Sequence, residues 1–216
     1  MFGGPAEPPA TPDATSEESR RIVASRIDLS RLAPLSRSVT EHVIAASADF
    51  DYATDLVCDE GQLTAAVEAL AAAAPAVADV TMVAVGITGY PVTCKSEEPL
   101  TQRLARSAGI PLAAAAIRLA HGQVGPGAIW VVGQEPAAIA EIMARDVQPA
   151  FVIGVPVGFA GAADAKDALR ASGLPALTNM SEKGGAAVAT AAFNALAAAA
   201  RGEGSPEVVQ FSDYPR

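Results

Sequence analysis

The chain has 216 residues, half of them apolar but only 5% aromatic, and its 24 acidic and 15 basic side chains give a formal net charge of −9. This length suits one α/β domain with a core of Ala, Val, Leu and Ile, and the acidic balance argues against nonspecific nucleic-acid binding, which needs a basic surface. No apolar run approaches the ~20 residues that span a bilayer, Met1 to Asp13 lacks the basic and apolar regions of a secretory signal, and Cys58 and Cys94 form no CxxC pair; a cytoplasmic protein with reduced thiols is expected.

Residues 1–14, with Pro5, Pro8, Pro9 and Pro12, have the composition of a disordered leader. Thr15-Ser16-Glu17-Glu18 is a capping-box pattern opening a helix to about Arg26. Ser38-Val39-Thr40-Glu41 predicts a second helix through about Ala48, and Asp59-Glu60-Gly61-Gln62 a third to about Ala74. Five strands are then expected: Ala76–Val80, Pro91–Lys95, Ala128–Val132, Ala150–Val155 and Pro175–Asn179. Helical patterns at Glu97–Ser107, Leu112–Ala120, Pro136–Arg145, Ala162–Ala171 and Gly185–Ala200 separate or follow them. Val80 to Ile87 fits either a continued strand or a helix. Strands alternating with helices predict βαβ units, hence a single α/β domain over residues 15–200 with a mainly parallel five-stranded sheet flanked by helices. Residues 201–216 read as a tail.

Three expected strands end in Gly- or Pro-rich loops: Gly133-Gln134-Glu135-Pro136, Gly154 to Gly161, and Met180 to Gly185. In a parallel sheet these converge on one edge, where open α/β folds bind ligands. Gly133, Gly154, Gly158, Gly184 and Gly185 would let a ligand approach the backbone. Lys183 and the N-terminus of the final helix would favour a carboxylate or phosphate. The alternative is that these are ordinary tight connections. GxGxxG, GxxxxGK[ST] and GxSxG are all absent, and neither His42 nor His121 has a companion at metal-ligand spacing. His121 reads as a helix-terminal residue beside a C′ glycine, Gly122. His42 sits inside the second helix, and Asp49, Asp51 and Asp55 read first as a solvated turn.

Taken together, these segments resemble the precorrin-8X methylmutase family, corrin-ring isomerases of cobalamin biosynthesis, from about Ser16 to Ala200. The run Ile153-Gly154-Val155-Pro156-Val157-Gly158-Phe159-Ala160-Gly161, continuing to Lys166, carries most of the resemblance. Gly184-Gly185 with Ala191 to Leu196, Asp79 to Val83, Gly86-Ile87-Thr88 and Ala48 to Ala53 add to it. The resemblance implies a homodimer with a large cavity at the interface, no dissociable cofactor, and a tetrapyrrole ligand; the isolated His and Cys residues give no reason to expect a metal. It implies migration of a methyl group from C-11 to C-12 of the ring, with hydrogenobyrinate or its cobalt-containing counterpart as product. The substrate-binding positions it suggests are Ser19, Thr88, Gly133, Gln134, Gly154, Gly158, Lys183, Gly184 and Gly185.

The sequence departs from the family pattern at Val43-Ile44-Ala45-Ala46-Ser47-Ala48-Asp49: Ala45 stands where the family carries its proton-donating histidine. His42, one helical turn away on the same face, is the remaining candidate for a catalytic role. Gln134, Ala137 and Pro111-Leu112 also replace the family's residues, and Lys183 replaces an Arg or Asn. Three readings follow: a methylmutase impaired at position 45, a non-catalytic corrinoid-binding paralogue, or a binding protein or enzyme for a smaller anionic metabolite.

Overall fold

A computed structural model describes residues 12–203. The leader through residue 11 and the tail from residue 204 lie outside the described residues. Six strands form one sheet: β1 (Leu56–Val57), β2 (Ala76–Ala78), β3 (Val92–Cys94), β4 (Ile129–Val132), β5 (Phe151–Gly154) and β6 (Ala176–Asn179), in the order β1-β6-β5-β4-β2-β3. Strands β2 to β6 pair in parallel and are the five expected from the sequence. The sixth, β1, is a two-residue edge strand antiparallel to β6, pairing Leu56 with Asn179 and Val57 with Thr178. Two residues are too few to show a periodicity of two.

The helices are α1 (Pro12–Arg26), α2 (Pro34–Ser47), α3 (Tyr52–Asp55), α4 (Glu60–Ala71), α5 (Thr81–Gly86), α6 (Pro99–Ala108), α7 (Leu112–Val124), α8 (Pro136–Ala144), α9 (Ala162–Ala171) and α10 (Ala186–Ala200). Side chains alternate across the sheet. Ile129, Val131, Phe151, Ile153 and Leu177 face α2, α4 and α10, whereas Trp130, Val132 and Val152 face α7, α8 and α9. Both faces are therefore buried, which is why the strands read as continuous apolar runs. Among the described residues no helix is long and apolar enough to cross a membrane.

Three boundaries differ from expectation. Helix α1 starts at Pro12, upstream of Thr15. Helix α2 starts at Pro34 rather than Ser38, with proline in its first turn. Its free N–H groups at Leu35 and Ser36 are capped by the Glu60 carboxylate at 2.8 and 2.9 Å. Helix α7 runs through His121 and Gly122 to Val124 and stops at Gly125, whose φ is 73°, so Gly122 is a helix-interior residue and not the C′ cap. The ambiguous segment after β2 is the helix α5.

Candidate active site

The loops after β4, β5 and β6 do share one edge, but they close on each other rather than on a ligand-sized gap. A Cβ on Gly184 would lie 2.2 Å from the Val155 carbonyl oxygen, and one on Gly133 would lie 2.9 to 3.0 Å from Val83, Ala186 and Ala189. On Gly154 it would meet Leu169 at 2.5 Å, on the other side of the sheet. At these three positions the missing side chain makes room for neighbouring protein. The loops are stitched by Gly185 N–H to Val155 O (2.9 Å) and Gly158 N–H to Glu182 O (3.0 Å). The N–H groups of Gly133, Gln134 and Glu135, which open α8, are taken by the buried Asp79 carboxylate at 3.2, 2.8 and 3.0 Å. Burial pushes that carboxyl up, against the pull of these three donors.

The loop between β6 and α10 is held from both sides. Asp55 accepts from the Asn179 side chain (2.9 Å), the Ser181 hydroxyl (2.7 Å) and the N–H groups of Ser181 (2.8 Å) and Met180 (3.1 Å). Burial pushes the Asp55 carboxyl up, but these bonds outweigh it and leave it below its ordinary value. From the other side the fully buried Lys166 donates to Asn179 Oδ1 (3.0 Å), to the Lys183 carbonyl (2.8 Å) and to the Ser181 carbonyl. Lys183 itself bridges Asp49 (2.7 Å) and Asp51 (2.5 Å) after α2, and these two bonds push its pKa well up. Its charge is thus spent within the protein. The network fixes where α10 begins, and so fixes the wall of the cleft beside it.

That cleft lies between α2, α5 and α10 and has a volume of about 560 Å³. Its walls are Ala45 and Ala46 of α2, Ala186, Ala187, Thr190, Ala191 and Asn194 of α10, Met82 and Gly86 of α5, then Thr88, with Ser19, Arg20 and His42 at one end. Gly86 allows α5 to press on α10, since a Cβ there would sit 2.8 Å from Thr190. Asn194 ties the segment down, donating to Gly86 O (3.1 Å) and accepting from Thr88 N–H (3.2 Å). Of the sequence-predicted positions, Ser19, His42, Ala45 and Thr88 meet here. Gly133, Gln134, Gly154, Gly158, Lys183, Gly184 and Gly185 do not line it.

Both nitrogens of His42 are engaged. Nδ1 is 2.7 Å from the Ser38 carbonyl and Nε2 is 2.9 Å from Arg20 Nη1. A carbonyl only accepts and a guanidinium only donates, so Nδ1 carries the proton and Nε2 is the acceptor. Burial pushes the imidazole below its ordinary pKa; the bond to Ser38 opposes this and the charge of Arg20 reinforces it. A neutral His42 whose Nε2 lone pair is capped has no proton to give the cleft. Arg20 and Asn194 were missed in the sequence. Asn194 lies in the Ala191 to Leu196 segment that carries part of the resemblance but was given no role there; Arg20 lies in no recognisable motif, and α1 meets α2 only through tertiary packing.

The precorrin-8X methylmutase family model matches residues 14–199. A cobalt-precorrin-8 methylmutase of Methanothermobacter thermautotrophicus is 35% identical over 85% of this chain and 91% of that protein. Its counterpart in Methanocaldococcus jannaschii is 31% identical over 87% and 94%. The solved precorrin-8X methylmutase of Thermus thermophilus superposes with a TM-score of 0.80 at 31% identity, covering 90% of this chain and all of that one. With the same fold, and similarity over nearly all the described residues, the chain belongs to the precorrin-8X methylmutase family.

Proposed function

We propose that the cleft between α2, α5 and α10 binds precorrin-8X or its cobalt-containing counterpart, and that the family's methyl migration runs slowly in it. The observation that carries this reading is the pairing of a methyl-lined wall with a missing donor: Ala45 faces the cleft, and the nearby imidazole is neutral and occupied. Alanine and methionine side chains suit the flat apolar face of a tetrapyrrole, and hydroxyls and amides at Thr88, Thr190 and Asn194 suit its polar edge. The migration is an isomerisation, so any proton lent to the ring returns to its donor at the end of the cycle. A general acid placed for this is worth roughly 10²- to 10⁴-fold in rate, and Ala45 has no proton to lend. Binding therefore survives where fast turnover does not.

The chain works as a homodimer in this reading. Met82 both lines the cleft and is 70% exposed, and Val85 (77%), Phe159 (96%) and Met180 stand exposed on α5 and on the loops at the same edge of the sheet. A second copy docked there would bury these side chains and roof the cleft.

Titrating the purified protein with hydrogenobyrinate and following its absorption spectrum tests the assignment. A saturable spectral shift with tight binding is expected. An unchanged spectrum at ligand concentrations far above the protein would instead favour a smaller anionic metabolite.

A further inference from the structure

We propose that Arg20 is the carboxylate anchor of the cleft, held by His42 as a positioning residue and presented to one carboxylate arm of the ligand. The inference rests on reading the cleft as a tetrapyrrole site. Arg20 is the cationic side chain among the cleft's lining residues, and no carboxylate lines that cleft. Among the described residues Arg20 forms no ion pair; its charge is felt at Glu41, which senses Arg37 more strongly, and Glu203 of the adjoining cavity pairs with Arg201. Its Nη1 is engaged by His42, while its Nε is buried without a partner, so the guanidinium has hydrogen-bonding capacity that the protein does not use. A guanidinium offers a planar fork of N–H groups that matches a carboxylate with two parallel bonds.

The choice of partner matters. A carboxylate holding Arg20 would cancel its charge and compete with the ligand. A neutral imidazole accepts one N–H and leaves the positive charge intact. The pair also stands where the cleft meets a second cavity of about 280 Å³, lined by Pro34, Leu35, Ser38, the last turns of α10, and Gly202 and Glu203 beyond it. Arg20 and His42 are common to both linings, so together they form part of the partition between the two. The first turn of α10, at Ala186 and Ala187, adds its positive dipole end to the same cleft. Lys183, the cation expected for this role, is taken by Asp49 and Asp51.

The test compares binding of hydrogenobyrinate and of its fully esterified form to wild type, Arg20→Gln, Arg20→Lys, His42→Ala and His42→Gln. Arg20→Gln should weaken the free acid by roughly tenfold to a hundredfold and leave the ester unchanged. Arg20→Lys, which keeps the charge but not the fork, should fall between and stands in if Arg20→Gln does not fold. His42→Ala should weaken the acid severalfold, and His42→Gln, which keeps an acceptor for Arg20, should recover it. Equal acid affinity in wild type and the Arg20 variants overturns the anchor while leaving tetrapyrrole binding in place. Wild-type affinity in His42→Ala overturns the positioning role. If neither corrin binds wild type, the tetrapyrrole reading fails, and a succinate titration read at the Arg20 Nε–H resonance decides the anchor. A saturable shift retains it for another carboxylate; no shift refutes it.

Discussion

At position 45 the chain presents a methyl group to the cleft, and three residues earlier an imidazole reaches the same space. The sequence already placed both on one helix face, since residues three apart are neighbours on a helix. What it did not reveal is that Arg20, contributed by a different helix, occupies Nε2 of that imidazole. This has a consequence for stability. The folded state holds His42 neutral, with a pKa below the ordinary 6.5, so below pH 6.5 the unfolded chain binds the proton more readily. Stability therefore rises with pH across that range and is lost as pH falls from 6.5 toward the lowered folded value. A His42→Gln variant keeps an acceptor but does not titrate. The difference in unfolding free energy between wild type and this variant should shrink below pH 6.5 and be constant above it, as measured by denaturant titration.

Among the elements, most helices were legible from their period and the strands as short apolar runs bounded by Gly and Pro, whereas the boundaries that failed depend on distant partners. Glu60 caps α2 from about 25 positions downstream, and nothing local in Ala33 to Arg37 announces that cap beyond Pro34. The glycine loops were read from the sequence as a ligand-binding edge, whereas the cleft is lined by none of their glycines. Their small residues serve contacts between loops and with helices, and the cleft opens on the far side of the first turn of α10. Gly158 tests the difference. Its φ is 136°, and a Cβ there meets nothing within 4 Å. Gly158→Val should thus cost ~1–3 kcal/mol in backbone strain, seen as a lower unfolding free energy, without filling the cleft. The Asp55 network makes a stronger claim. Asp55→Ala strands donors of Asn179, Ser181 and Met180 and should destabilise by at least ~1.5–3 kcal/mol. Because the folded Asp55 carboxyl lies below its ordinary 3.8, the wild-type advantage is present above that pH and is lost as pH falls through the lower folded value. An advantage that persisted unchanged at pH 2 would count against the network.

Over the whole molecule, the alanine-rich composition was a reliable guide: α10 buries eight of its residues against the sheet and α2, five of them alanines that let it lie close, with Val188, Phe193 and Leu196 filling the remaining space. The family's fold is retained, and the proposed change is confined to the wall at Ala45. The apolar edge formed by Met82, Val85, Phe159 and Met180 predicts a dimer; light scattering at micromolar concentration should give twice the chain mass, and Val85→Asp should shift the protein toward monomer. Single-turnover conversion of precorrin-8X, with wild type and Ala45→His run side by side at saturating enzyme, tests the central claim most directly. Restoring an imidazole at position 45 should accelerate methyl migration by roughly 10²-fold or more with little change in affinity. A wild-type rate equal to or above that of Ala45→His would contradict the account, because the migration would then proceed at full speed with no donor at that wall.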